Sequence, residues 1–398
     1  MSKLKYSLSS DTWDKEEKES VINLIQNNNI LTFSKNVTKF ENRLAKYFNS
    51  KFSILVNSGS SANLLAIYTL FFLKNKLKKG DEVIIPAIGW STSYAPLAQL
   101  GLKIVLCDVE KDTFNICYQS LQKCYTKKTK LIVAINLIGN ISNLKKISNF
   151  CKQKKIYLFE DNCEGMGSKN ENKYCGTYGI ASSFSTYFSH HISTIEGGFI
   201  LTDDPIFYNI AKSIRSHGWT RNIDLSKLNL SRRELTLLNK NKDNKFQFLF
   251  PGFNLRPTEI TAVLGLCQIK KLKGFLKARY KNQKYIENLY HKHSEILDFY
   301  RFHENAAYFF IPLYFRRVND KIKFENFLIS IKNIEFRALI SGNINDHIFI
   351  KHFDKINRVR LPNTEYLTNR VILLGNSHNS LEKQIDLIGK YLRKVFYA

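Results

Sequence analysis

The chain has 398 residues, 44% of them hydrophobic, which is enough for one large core and a smaller satellite domain. Its net charge of +26 is spread along the sequence with no basic and aromatic stripe, so nucleic-acid binding is not expected, although the field would attract a small anionic substrate. The N-terminus is polar and the longest apolar run, residues 64–73, is about half of the roughly 20 residues a membrane span needs, so a cytoplasmic protein with no membrane partner is expected.

From about residue 50 to 200, short β-rich runs alternate with helical stretches, the pattern of an α/β domain on a mainly parallel sheet. Seven strands are predicted, at 52–56, 82–85, 103–106, 131–136, 156–160, 182–187 and 198–202, with helices such as 61–74 and 143–154 between them. After the first strand, Asn57-Ser58-Gly59-Ser60-Ser61-Ala62-Asn63 opens a helix, where free backbone N–H groups and hydroxyls can cradle a phosphate. Ser and Gly are also ordinary helix caps, and the residues alone leave both readings open. An aromatic, Trp90, follows the second strand, as a core residue or as a ring platform.

Phe159-Glu160-Asp161-Asn162-Cys163-Glu164 places acids at a strand's C-terminal end, where open α/β sheets bind ligands. Asp161 there can hold a pyridinium nitrogen protonated, cap a helix or ligate a metal. Residues 182–198 read SSFSTYFSHHISTIEGG; His190 and His191 are adjacent, with no carboxylate at a usual metal-ligand spacing, so no metal is expected. The seven cysteines contain no CxxC pair, and only Cys267 lies beyond residue 175, so a four-thiolate iron-sulfur cluster is not expected. After Pro257 a helical pattern runs through Ala262, Leu266, Ile269 and Leu272 into a linking helix over 275–290. A strand at 307–314 and a closing amphipathic helix with Ile385, Ile388, Leu392 and Phe396 complete the chain.

Taken in order, these segments resemble the fold-type-I pyridoxal-phosphate enzymes, and within them the DegT/DnrJ/EryC1/StrS sugar aminotransferases. The similarity lies in 58–62, in Pro86 to Trp90, in Glu160 to Glu164, in Ser185 to Gly198 and in Gly252 to Gln268, and so spans nearly the whole chain. The resemblance implies an aspartate-aminotransferase-like fold: an N-terminal segment, 1–30, packing with the small domain, a large cofactor domain at 31–272 with a seven-stranded, mainly parallel sheet, and a small α+β domain at 273–398.

By the same resemblance Gly59, Ser60 and Ser185 hold the cofactor phosphate, with Asn254 reaching it from the other subunit of a homodimer. Trp90 stacks on the ring, Asp161 pairs with its nitrogen and Glu164, where the family has glutamine, lies near the ring hydroxyl. His217, Arg221 and Asn343 are candidate substrate contacts.

One position departs from the family. Where it carries the Schiff-base lysine, six residues before the glutamate of its GEGG run, this sequence has His190, and Ile195 replaces the first glycine of that run. No lysine stands between Lys173 and Lys212, so no shift of register restores the amine. The substitution, with Glu164 and the Arg215-to-Trp219 segment, is similar to the family's 3-dehydratases of GDP-linked 4-keto-6-deoxy sugars. It implies a PLP/PMP enzyme that removes the 3-hydroxyl of a nucleotide-linked hexose or heptose for a surface polysaccharide, with His190 as acid and base and L-glutamate restoring the amine form of the cofactor. A 4-amino-sugar-forming aminotransferase, or a cofactor-binding regulator without catalysis, are the alternatives.

Overall fold

A computed structural model describes residues 5–221, 223–240, 246–298, 300 and 302–397. The seven predicted strands lie in one sheet, ordered Phe52–Val56, Gly198–Thr202, Ala181–Ser185, Tyr157–Asp161, Thr129–Ile135, Glu82–Pro86 and Lys103–Cys107, with Gly198–Thr202 antiparallel to both neighbours. An eighth strand, Lys355–Ile356, extends the edge in parallel with Lys103–Cys107. It was missed because two residues show no periodicity and the segment lies some 250 positions from its partner.

The five-residue strands are almost wholly buried because helices cover both faces, which explains their continuous apolar character. Helices Gly59–Thr69 and Ser91–Gln99 start directly after sheet strands, so their N-termini meet at the sheet's C-terminal edge. Arg215, 2% exposed, donates to the Glu41 carboxylate at 2.6 Å and to the Leu55 carbonyl at 2.7 Å. This buried pair fixes the strand that delivers the Ser58-Gly59-Ser60 turn.

The predicted linking helix is one continuous element, Glu259–Lys292, whose Glu259 carboxylate accepts the N–H groups of Ser34, Asn36 and Val37. Residue 272 lies inside it, so a single rigid rod carries the chain from the large sheet to the C-terminal part. There an antiparallel sheet, Phe310–Tyr314, Val371–Gly375 and Phe336–Ala338, packs beneath the closing helix Glu382–Phe396. Residues 307–309, expected in a strand, are instead non-strand backbone that turns toward the large domain. Tyr6 bridges to Ile334 and its hydroxyl donates to the Gly375 carbonyl, while helix Lys15–Asn27 lies against the long helix through Glu17, Gln268 and Lys271. Among the described residues no helix is long and apolar enough to cross a membrane.

Candidate active site

A cavity of about 460 Å³ opens at the C-terminal edge of the sheet. Gly59, Ser60, Trp90, Asp161, Glu164, Ser185 and His190, drawn from segments up to 131 positions apart, all line it. The turn Ser58-Gly59-Ser60 sits against Ser185 so closely that a Cβ on residue 59 would come within 2.7 Å of the Ser185 Cβ, so only glycine fits. The Ser58 hydroxyl caps the helix by accepting the Ser61 N–H at 3.0 Å, and Ser60 at the first turn joins Thr92 across the gap at 3.1 Å. The segment is therefore a helix cap whose residues also line the cavity.

Asp161 is held from three elements. Its Oδ2 accepts from Asn63 Nδ2 at 2.9 Å and from Ser93 Oγ at 2.6 Å, and its Oδ1 accepts the Cys163 N–H at 3.2 Å. Four percent exposed, the carboxylate is fixed by these bonds, and among the described residues no lysine or arginine pairs with it. A buried anion so arranged needs a cationic partner, and the cavity is where one can sit. Trp90 is 51% exposed, an unusual state for tryptophan inside a concave site.

The Nδ1 of His190 lies 2.9 Å from the Cys163 carbonyl oxygen. A carbonyl only accepts, so Nδ1 carries the proton and Nε2 keeps the lone pair. The ring stacks on Phe309 at 4.7 Å and 19°. Burial lowers His190 from 6.5 to about 4; the bond to Cys163 works against this and the Arg279 charge adds a smaller downward push. Burial raises Glu164 from 4.5 to about 7, opposed by the Ile138 N–H, 2.8 Å from its Oε2, and by the Arg337 charge. Ile195, where the family has glycine, has a left-handed φ of 71°, a conformation a β-branched side chain rarely adopts.

Four sequence candidates lie outside the cavity walls. Asn343 is buried, but its side chain accepts the Asn345 N–H at 3.1 Å and caps a short turn whose Ile344 N–H donates to Ala87. His217 and Asn254 come together in another place: residues 216–220 pair with 247–254, and the His217 N–H donates to the Phe253 carbonyl at 2.7 Å. Arg221, exposed, continues that flap. Phe246 and Phe248 beside the flap, and Leu235 and Leu237 of the nearby helix Arg232–Lys240, are 60, 57, 45 and 52% exposed among the described residues.

Sequence reasoning missed Arg337, the one lysine or arginine among the described residues lining the cavity. It comes from the small sheet, its guanidinium carbon 5.3 Å from the Trp90 ring centroid, and one of its N–H groups donates to the Ile340 carbonyl at 2.8 Å. Also missed was Gln268, whose Oε1 accepts the Ser193 N–H at 3.1 Å beneath the histidine loop. Gln268 stands in a quoted motif segment, whereas nothing local marks Arg337.

A strand-end acid, a helix-start turn and a half-exposed ring platform around one cavity define an aminotransferase-like cofactor site, and the comparisons agree. The chain belongs to the DegT/DnrJ/EryC1/StrS aminotransferase family, whose model matches residues 11–393. It is similar to the GDP-4-keto-6-deoxy-D-mannose 3-dehydratase of Yersinia pseudotuberculosis, 37% identical over 98% of this chain and 99% of that one. Among solved structures it superposes with a TM-score of 0.90 and 36% identity, over 97% of this chain and 100% of the other, on a GDP-4-keto-6-deoxymannose 3-dehydratase holding a trapped PLP-glutamate geminal diamine. A histidine-to-asparagine mutant of such a dehydratase with bound GDP-perosamine superposes equally, at 0.90, 36%, 97% and 100%.

Proposed function

We propose that this chain is a PLP/PMP-dependent 3-dehydratase of a GDP-linked 4-keto-6-deoxy sugar, hexose or heptose, regenerated by L-glutamate. One observation carries the reading: a histidine with a free ring nitrogen lines the cavity at the family's lysine position, and no lysine lines the cavity among the described residues. The cofactor fits the residues present. Gly59, Ser60 and Ser185 offer phosphate donors, Trp90 an open ring face, Asp161 an uncompensated anion for the ring nitrogen, and Glu164 a carboxyl near the ring hydroxyl.

When bound, pyridoxamine phosphate supplies an amine for the sugar's 4-keto carbon and a ring that accepts electrons. His190 then does the proton work. Neutral at physiological pH, it takes a proton at Nε2 and, as an imidazolium made strongly acidic by burial, delivers it to the departing 3-hydroxyl. Asp161 favours the protonated ring nitrogen, and Arg337 is the cation placed to receive a carboxylate of glutamate. The released sugar loses ammonia in water and leaves as a 4-keto-3,6-dideoxy product.

The finer reading is a cytoplasmic homodimer with shared sites, serving surface polysaccharide synthesis. The exposed apolar flap supports the dimer, and it carries Asn254, His217 and Arg221 away from their own cavity, as residues serving a partner's phosphate and substrate would be. Seven free thiols suit a reducing compartment. Borohydride followed by intact mass analysis tests the carrying observation. No PLP should become attached to the wild-type protein, whereas His190→Lys should gain one cofactor per chain. A reduced PLP adduct on the wild type would overturn the reading.

A further inference from the structure

Arg279 is the conspicuous charge outside the cavity. It lies within the long helix, 3% exposed, and its Nη1 donates to three backbone carbonyls, those of Asn376 at 3.0 Å, Phe309 at 3.1 Å and Tyr308 at 3.5 Å. Its Nε has no partner, and among the described residues no carboxylate pairs with it. A guanidinium taken out of water without an anion is costly, and carbonyl oxygens repay only part of that. For purely structural anchoring, the neutral amides Asn282 and Asn376 beside it already bind neighbouring carbonyls without that cost. Charge at this place calls for another use.

The segment Arg279 grips reaches both histidines. Phe309 stacks on the His190 ring, and the Ala307 carbonyl accepts from His191 Nε2 at 2.8 Å. The Phe309 N–H donates to the Ile138 carbonyl at 2.8 Å, and the Ile138 N–H in turn binds Glu164. The guanidinium carbon lies 6.0 Å from the Phe309 ring centroid, so one aromatic ring is in contact with the cation and with the imidazole. We propose that Arg279 is a positioning residue for His190: it fixes Phe309 beneath the imidazole, and its unneutralised charge disfavours a second positive charge there, keeping the ring a base.

Other groups also face His190 and set its background. They are Tyr187 and His191 of its own loop, Glu196 beyond it, Asp161, Cys163 and Glu164 at the strand end, and Arg337 from the small sheet. Of these, Asp161, Glu164 and Glu196 would favour an imidazolium when ionised and Arg337 would oppose it, so Arg279 acts mainly against carboxylates. The direction agrees with the depressed proton affinity of both histidines, to which the Arg279 charge contributes after burial.

This inference rests on His190 being the base, and its test is read first without turnover. In the full-length, PMP-loaded protein with labelled histidine, Arg279→Met should raise the NMR titration midpoint of His190 by about one pH unit, the order expected for loss of one nearby charge. The acidic limb of the dehydration rate should move with it, while the KM for the nucleotide sugar stays put. Arg279→Lys, which keeps the charge and loses the planar fork, should leave the midpoint within a few tenths of a unit and lower the rate several-fold. An unmoved midpoint in a folded Arg279→Met protein overturns the proposal. Should Arg279→Met not fold, Arg279→Lys and Phe309→Leu decide: a fall in rate with an unmoved midpoint in both supports positioning, and wild-type rates in both overturn it. Because the titration needs no catalysis, failure of the dehydration itself is seen separately.

Discussion

The sheet side of the cavity and the histidine loop draw their hydrogen bonds from different parts of the molecule. Around Asp161 the partners Asn63, Ser93 and Ser183 all stand on a strand of the large sheet or on helices that follow its strands directly. The loop over 187–195 touches the sheet side through His190 on the Cys163 carbonyl and Thr194 on Thr186, and its other supports come from outside that sheet. Trp13 donates to the Ser193 carbonyl, Gln268 accepts the Ser193 N–H, and Ala307 and Phe309 hold the two imidazoles. The sheet side is thus set once the α/β core forms. The loop's geometry depends in addition on the N-terminal segment, the long helix and the small sheet lying correctly, so chemistry at His190 is the part most open to distant perturbation.

The largest effect expected is on the loop. His190→Asn removes the imidazole stacked on Phe309 and cannot carry the proton, so dehydration should fall ~10³-fold or more with cofactor binding retained, as measured by single turnover of PMP-loaded protein. Robust ammonia release by this variant would remove His190 from the reaction. On the sheet side, Asp161→Asn replaces one acceptor of a satisfied cluster by a neutral isostere. The fold should persist while turnover drops by about 100-fold, since the ring nitrogen loses its anion. Near-normal turnover would place Asp161 outside the mechanism.

A smaller effect separates the regions from a distance. Gln268→Leu leaves the buried Ser193 N–H and the Thr12 hydroxyl without an acceptor, which should cost about 1–3 kcal/mol in chemical denaturation and slow the reaction several-fold, although residue 268 is outside the cavity. If rate and stability are both unchanged, the loop does not depend on this support.

The smallest effect concerns pH. His190, lowered to about 4, gives stability that is present above 6.5 and lost as pH falls toward 4, because the unfolded ring takes up a proton first. Glu164, raised to about 7, does the reverse: its contribution is present below 4.5 and lost as pH rises to 7. The two oppose each other between 4.5 and 6.5. Glu164→Gln removes the second, so its Tm should fall more steeply than the wild type's as pH drops from 6.5 to 4.5. Parallel Tm curves would mean that the two groups are not set against each other as described.

The same contrast explains what was legible in the sequence. Strands with continuous apolar runs are local patterns, so the seven main strands were readable from spacing, while the seven cavity residues came from the family resemblance that the order of turn, acid and loop carries. Glu259 and Gln268 were visible in a motif segment without their roles, since what they hold, the 34–37 turn and Ser193, lies far away in sequence. Arg337, Arg279 and strand Lys355–Ile356 gave no signal at all, because each matters only through an element brought to it by the fold. The positive φ of Ile195 shows the opposite case, where the backbone takes a conformation that its residue type argues against.

The fate of the oxygen and the nitrogen tests the account most directly. The wild-type protein is incubated with GDP-4-keto-6-deoxymannose, PLP and L-glutamate, the nucleotide sugar is weighed by mass spectrometry and free ammonium is assayed. The account predicts a 4-keto sugar lacking the 3-hydroxyl oxygen and one ammonium released per sugar converted. A 4-amino sugar that keeps its 3-hydroxyl, with no ammonium released, would contradict it and make the chain an aminotransferase that works with a histidine at position 190.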